Sequence, residues 1–192
     1  MWSIAGIATI DFNVESGDII VTLSPQKERS MAKHKQNPTR IDIAPKLREK
    51  MIALLNAQLA DTLDLYTQVK QAHWNVKGPY FIALHELFDE LAEQLEGPVD
   101  DVAERVTALG GVAMGTARIA AKASRLAELP HDSYDGMQMV ALLADRYAQL
   151  AKSTRAAIDA SNDAGDADTA DLFTGISRGL DKSLWFLEAH LQ

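Results

Sequence analysis

The sequence predicts an all-α protein, a four-helix bundle with a short crossing helix between helices two and three. From residue 45 onward, apolar residues recur every three or four positions with few helix breakers. The Gly and Pro clusters that do occur divide this stretch into four long segments and one short one. A chain of 192 residues can bury a sufficient apolar core without a disulfide or a structural metal. We therefore expect a bundle domain over residues 45–192, preceded at residues 1–44 by an extension with a flexible basic arm.

The breakers set the order of the predicted helices. Pro45 suits the first turn of helix one, which runs towards His73. The turn Lys77-Gly78-Pro79 separates this helix from the next. The remaining elements are helix two from about Tyr80 to Leu109, a short helix from about Thr116 to Ala123, helix three from about Tyr134 to Ala160, and helix four from about Asp168 to Ala189.

Two segments depart from this regular pattern. Gly97-Pro98 lies inside helix two, so we expect a kink there, just before Asp100. Residues 1–30 have no helical period, and residues 9–14 alternate apolar and polar side chains as a short strand does. Met31 opens a polar stretch and is a candidate natural first residue, in which case residues 1–30 are an upstream extension.

Composition restricts the chemistry that is possible. The chain has no cysteine, so disulfides and thiolate metal sites are excluded and His, Asp and Glu remain as candidate ligands. The apolar runs are too short to span a bilayer, and residues 1–20 lack the pattern of a signal peptide. These features favour a protein of the reducing cytoplasm that does not enter the membrane.

Charge is divided unevenly along the chain, whose formal net charge is −8. Residues 51–192 carry eleven basic and twenty-one acidic residues, whereas residues 31–50 carry six basic and two acidic ones. The body should therefore repel nucleic acid unless the arm intervenes. The mobile cations that could contact DNA without sequence specificity are Lys33, Lys35 and Arg40, although a solubilising tail has the same composition.

Helix two carries a stripe of polar residues on one face. Its members are spaced by 4, 4, 3, 4 and 4 residues: His85, Asp89, Glu93, Glu96, Asp100 and Glu104. A solvated face of an acidic protein gives the same pattern. The histidine favours the alternative of a metal site, because imidazole together with carboxylates suits iron, zinc or manganese.

Spacing limits how such a site can be built. Asp89 and Asp100 are eleven residues apart, which separates them by roughly 16 Å along a helix. The sequence also lacks a Glu-x-x-His pair on two helices, since its only example, Glu128 to His131, contains a proline and lies in a loop. If both halves of the stripe serve one centre, a second, antiparallel copy of the chain must supply one of them, and a twofold dimer then has two equivalent sites. His73 joins the first half, because helix one ends where helix two begins.

Two long motifs around these residues resemble the DNA-protecting mini-ferritins of starved bacteria, the Dps family. Residues 73–89 (HWNVKGPYFIALHELFD) match its first motif and residues 99–111 (VDDVAERVTALGG) its second. The similarity continues through LADRYA at residues 143–148 and DKSLWFLE at residues 181–188. It covers roughly residues 45–192 and leaves residues 1–30 outside.

The resemblance implies a ferritin-like fold and a ferroxidase. His73, His85 and Asp89 would form one half of the centre, and Asp100 and Glu104 of a neighbouring subunit the other. Such a protein oxidises Fe²⁺ with hydrogen peroxide, stores the ferric product inside a shell of twelve subunits, and protects DNA in the stress response, in the cytoplasm and at the nucleoid. Two alternatives remain open: a mainly DNA-binding, nucleoid-compacting protein with iron secondary, and an acidic helical bundle without metal.

Three further positions receive roles from the same resemblance. Trp74 would trap radicals beside the centre, although simple packing is the commoner role of a tryptophan. Asp145 would line an acidic pore that attracts Fe²⁺, with a surface ion pair to Arg146 or near Arg105 as the alternative. Trp185 and Phe186 on helix four are expected in the core.

Overall fold

A computed structural model of the chain describes residues 8–12, 19–23, 36–132 and 135–192. The chain divides into two compact units, Met1–Lys35 and Gln36–Gln192. In the first unit, β1 (Ala8–Phe12) pairs with β2 (Ile19–Leu23) in an antiparallel ladder. The predicted strand over residues 9–14 overlaps β1, and its last two residues lie outside the described part. We did not predict β2.

The second unit contains five helices. They are α1 (Pro45–Asn75), α2 (Phe81–Ala108), α3 (Ala117–Ala123), α4 (Gly136–Asp163) and α5 (Ala167–Ala189). In this unit α1 packs along α2, α4 packs along α5, and the short α3 lies against α1. The predicted four-helix bundle with a short crossing helix is confirmed.

Helix ends differ from the prediction by a few residues, for local reasons. The predicted start of helix three, Tyr134, lies outside the described residues; α4 begins at Gly136, where the Asp135 carboxylate accepts the backbone N–H of Gln138. At its other end α4 continues to Asp163, and the turn falls at Gly165, whose φ of 79° favours glycine.

Helix α2 is not interrupted at Gly97-Pro98. Residues 81–108 form one helix, although Pro98 has no N–H to donate to the carbonyl of Gln94. Both halves of the polar stripe therefore lie on the same helix.

The bundle is held by an apolar core to which all four long helices contribute. The largest fully buried side chains include Met51 of α1, Phe88 of α2, Tyr147 of α4 and Phe173 of α5. Each buried side chain of this size contributes about 1.5–3 kcal/mol relative to an exposed one. None of the helices in the described residues is long and apolar enough to cross a lipid bilayer.

Two ion pairs with buried carboxylates fix the connections between helices. Asp61 of α1 accepts hydrogen bonds from the backbone N–H and the side chain of Arg125, which positions the segment after α3. Arg105 of α2 donates to Asp166, the residue that caps the N-terminus of α5, at 2.7 Å. This second pair ties the turn between α4 and α5 to the end of α2.

Candidate metal centre

Polar contacts cross the seam between α1 and α2, which run antiparallel on either side of the turn at Lys77-Gly78-Pro79. From this turn outward, His73 meets His85, Lys70 meets Asp89, and Tyr66 meets Glu96. The α1 members are spaced by three and four residues and so share one helix face. Three members of the predicted stripe, His85, Asp89 and Glu96, therefore contact α1, and Glu93 is exposed to solvent.

The two histidines hold each other through reciprocal hydrogen bonds. Nδ1 of His73 lies 2.8 Å from the carbonyl oxygen of His85, and Nδ1 of His85 lies 2.9 Å from the carbonyl oxygen of His73. The rings are stacked, with centroids 3.8 Å apart. Because a carbonyl only accepts, each Nδ1 carries a hydrogen, and in the neutral rings the lone pair lies on Nε2. Both imidazoles therefore have the tautomer and the fixed orientation in which Nε2 could bind a metal ion.

Asp89 is close to this pair and also engaged by a cation. Its Oδ1 lies 3.8 Å from Nε2 of His73 and accepts a 2.6 Å hydrogen bond from Nζ of Lys70. This hydrogen bond is the main reason that the pKa of Asp89 is lowered and the pKa of Lys70 is raised. The carboxylate is therefore ionised and available to a metal ion once the ammonium moves aside.

Sequence reasoning missed Lys70. The signal was present, because Lys70 lies three residues before His73 and therefore on the same face of α1. A lysine beside carboxylates on an exposed helix is common, however, and only the pairing of the two helices shows that it reaches Asp89.

Asp100 and Glu104 are exposed on α2 beyond the seam. The structure does not bring them to His73, His85 or Asp89 within one chain. Among the described residues, no group of three His, Cys, Asp or Glu side chains is arranged to hold a metal ion. A single chain therefore presents two separate sets of donors, His73, His85 and Asp89 near the turn between α1 and α2, and Asp100 with Glu104 further along α2.

The other predicted positions have distinct surroundings. Trp74 is 67% exposed beside the histidine pair. Asp145 is exposed on α4, and the alternative of an ion pair with Arg146 is not supported, since Arg146 is buried and donates to Gln68 and to two backbone carbonyls. The expectation that Trp185 and Phe186 both belong to the core is wrong for Trp185, because it is 61% exposed, whereas Phe186 is half-buried.

The arm is described only in part. Lys33 and Lys35 lie outside the described residues, and Arg40 is exposed. In the segment before α1, the N–H of Asn37 donates to the carbonyl of Gly110 at 2.8 Å. The side chain of Arg48, in the first turns of α1, donates to the carbonyls of Ile43 and Leu109. The chain is thus attached to the bundle from Asn37 onward, before α1 begins.

The bundle and its paired imidazole and carboxylate groups define a ferritin-like protein. The sequence model of the family described as the ferritin-like domain matches residues 52–192. A DNA protection during starvation protein of Agrobacterium fabrum is 46% identical over 158 residues, which are 82% of this chain and 98% of that relative.

Solved structures agree with this assignment. An archaeal Dps homologue from Halobacterium salinarum has a TM-score of 0.79 and 29% identity, covering 85% of this chain and 91% of its own. A Dps protein from Vibrio cholerae O1, described as a member of a broad superfamily of ferritin-like diiron-carboxylate proteins, has a TM-score of 0.74 and 29% identity, covering 78% and 94%. The chain belongs to the Dps family of ferritin-like proteins.

Proposed function

We propose that the protein is a mini-ferritin that oxidises Fe²⁺ with hydrogen peroxide at centres shared between two subunits and stores the ferric product. The observation that carries the proposal is the reciprocal hydrogen bonding of His73 and His85, which fixes both rings with Nε2 free for a metal ion beside Asp89. Imidazole suits the ferrous ion, and carboxylates favour the harder ferric product.

A twofold dimer completes the centre. In an antiparallel pair of α2 helices, a register that places His85 opposite the second copy's Glu104 also places Asp89 opposite its Asp100, because both pairs of residue numbers sum to the same value. The two donor sets, which are apart within one chain, then meet twice across one interface.

The chemistry of the oxidant suits such a centre. Hydrogen peroxide takes up two electrons, and two adjacent ferrous ions provide one each, so the O–O bond breaks without release of a hydroxyl radical. His73, His85 and Asp89 would hold iron on one side, and Asp100 and Glu104 of the second copy on the other. Trp74, exposed next to His73, would intercept oxidising equivalents that escape.

Assembly and DNA protection complete the proposal. The Agrobacterium fabrum relative is named for DNA protection during starvation, and we propose the same role here. A closed shell of twelve 21.0 kDa chains has a mass of about 250 kDa. Its exposed Asp145 residues would attract Fe²⁺ at an acidic pore. A second candidate function, nucleoid compaction with iron secondary, is favoured by the basic arm, in which Lys33, Lys35 and Arg40 would contact DNA.

The test is subunit mixing between two inactive variants. Asp100→Ala with Glu104→Ala removes one donor set, and His73→Ala with His85→Ala removes the other. Stopped-flow measurement of Fe²⁺ oxidation by peroxide should show loss of the fast phase in each variant alone. After subunit exchange the fast phase should return in part, because each mixed dimer has one intact centre. An unchanged rate in either variant, or no recovery in a mixture shown by mass spectrometry to contain mixed dimers, would contradict the shared centre.

A further inference from the structure

The outermost contact of the α1–α2 seam joins a tyrosine to a carboxylate. The hydroxyl of Tyr66 donates to Oε1 of Glu96 at 3.3 Å. Tyr66 is half-buried on the face of α1 that also carries Lys70 and His73. It lies seven residues before His73, which is about 10 Å along the helix axis. A phenol with a carboxylate partner at this range can give an electron to the centre while its proton passes to the carboxylate.

The ion pair between Lys70 and Asp89 hinders iron binding, and a centre with too little iron lacks one of the electrons that peroxide requires. A ferrous ion that binds Asp89 must displace an ammonium group held at 2.6 Å. Among the described residues, no hydrogen bond to Nε2 of either imidazole is found. Because this competition weakens iron binding at the centre, a centre that holds a single ferrous ion occurs when iron is scarce, and one ferrous ion supplies only one of the two electrons that peroxide requires.

We propose that Tyr66 supplies the second electron when peroxide meets a centre that holds one ferrous ion. This inference rests on the proposed function. The ferrous ion and Tyr66 lose one electron each, and the O–O bond of hydrogen peroxide breaks. The two oxygen atoms leave as two water molecules, after taking up the phenolic proton by way of Glu96 and one proton from solvent. The products besides water are a ferric ion and a neutral tyrosyl radical.

The other described tyrosines lack this arrangement. Tyr80 is 62% exposed, and no hydrogen bond of its hydroxyl is found in the described part of the chain. Tyr147 is fully buried, donates to the backbone carbonyl of Leu91, and has a pKa raised by burial. An amide carbonyl is a far weaker base than a carboxylate. Tyr66 is therefore the tyrosine among these whose oxidation has a nearby proton acceptor.

Trp74 is the competing donor. It borders the same groove beside α1 as Tyr66 and Lys70, a space of about 520 Å³. Its indole is exposed, and no hydrogen bond of its Nε1 is found in the described residues. Its oxidation would leave a proton to be taken by solvent. The two donors can be separated by isotope labelling.

The experiment is freeze-quench EPR on the assembled full-length protein. Each centre is loaded anaerobically with one equivalent of Fe²⁺ and mixed with hydrogen peroxide, using protein made with ring-deuterated tyrosine, ring-deuterated tryptophan or neither. We expect a radical signal that narrows on tyrosine deuteration, is lost in Tyr66→Phe and persists in the matched control Tyr80→Phe. Glu96→Gln should lower the radical yield although Tyr66 is present. A second equivalent of Fe²⁺ should also lower it.

The outcomes separate this inference from the proposed function. If the wild type oxidises iron rapidly but its signal survives Tyr66→Phe, or narrows only on tryptophan deuteration, the inference is wrong and the ferroxidase stands. If the wild type does not oxidise iron with peroxide, both are wrong. Particle mass and circular dichroism of each variant check that a lost signal does not result from a lost fold.

Discussion

Nζ of Lys70 lies 2.6 Å from Oδ1 of Asp89, whereas Nε2 of His73 lies 3.8 Å from the same oxygen. The carboxylate of the candidate centre is therefore occupied by a cation that the protein itself supplies. A metal ion that binds Asp89 must replace Lys70. The measured affinity therefore reflects the difference between the metal–carboxylate interaction and the Lys70–Asp89 ion pair.

Replacing Lys70 by Met should tighten metal binding. The pair is partly exposed, with side-chain exposures of 23% and 42%, so solvent screens it and its contribution is small. We expect affinity for Zn²⁺, a redox-inert probe, to rise about two- to fivefold in isothermal titration calorimetry. The matched control is Lys122→Met on the exposed face of α3. Equal or weaker binding by Lys70→Met would show that Lys70 supports the site rather than competing for it.

The same variant has a consequence for pH. Lys70 lowers the pKa of Asp89 in the folded state, so the contribution of this pair to stability is present at neutral pH and is lost as pH falls through the folded-state pKa. In Lys70→Met, the Asp89 carboxyl should take up its proton at a higher pH, which NMR titration of the carboxyl carbon can follow.

Arg105→Met should destabilise the bundle strongly. The substitution leaves Asp166, whose side chain is 1% exposed, buried without its cation. Loss of one partner of a buried pair costs about 3–5 kcal/mol, and because Arg105 is itself 16% exposed, we expect the lower part of this range. Urea denaturation of the assembled protein measures it. Arg155→Met is the control, since Arg155 and Asp181 are each about half exposed and their pair should be worth under about 1 kcal/mol.

Gly136→Ala should perturb the site from a distance. A Cβ at Gly136 would lie 2.5 Å from Cδ1 of Leu84, the residue before His85. Overpacking of this kind costs about 1–3 kcal/mol, which exceeds the gain of about 0.4–1 kcal/mol from a less flexible unfolded chain. We expect a lower denaturation midpoint and weaker Zn²⁺ binding.

Two further variants show whether this clash is the cause. Gly175→Ala meets nothing within 4 Å and should stabilise the protein. Adding Leu84→Val removes Cδ1 and should recover part of what Gly136→Ala loses; strictly additive effects would mean that the two residues are not coupled.

Helical periodicity and breakers were sufficient to predict the bundle, because amphipathic spacing fixes which face of each helix is buried. These patterns gave a wrong prediction for Trp185, which lies outside the buried face of its helix. On α5 the buried positions Phe173, Ile176, Leu180 and Leu187 form one face, and Trp185 lies off it, so a large apolar side chain is exposed. Burial follows position on the helix more closely than residue type.

The candidate metal donors could be predicted from the sequence, but the side chains that they contact could not. Spacing on α2 identified the stripe and separated it into two sets, because the rise of a helix is constant. The reciprocal hydrogen bonds of His73 and His85, and the contact between Lys70 and Asp89, depend on how α1 is rotated against α2. No spacing within one helix contains that information.

DNA binding should depend on the basic arm, because the body of the protein is acidic. Residues 51–192 carry ten more acidic than basic residues, so a shell of such bodies should repel a polyanion. Lys33, Lys35 and Arg40 can reverse this only by acting from many subunits at once. Because Asn37 is hydrogen-bonded to Gly110, deleting residues 1–44 would also remove packed backbone. The sharper change is therefore Lys33→Gln with Lys35→Gln and Arg40→Gln.

In gel-shift series at rising salt, the wild type should retain DNA of any sequence at low salt and release it steeply as salt rises, because phosphate contacts release counterions. The triple variant should retain less DNA, and the slope of its log binding constant against log salt concentration should fall by about 0.9 for each phosphate contact removed. The matched control removes three cations from the bundle instead: Lys122→Gln, Lys152→Gln and Arg178→Gln, all exposed. Since both variants have the same net charge, loss in the first alone locates DNA binding in the arm. Equal loss of DNA retention in both variants would mean that overall charge, and not the arm, determines binding. No retention by the wild type would mean that the protein stores iron without binding DNA.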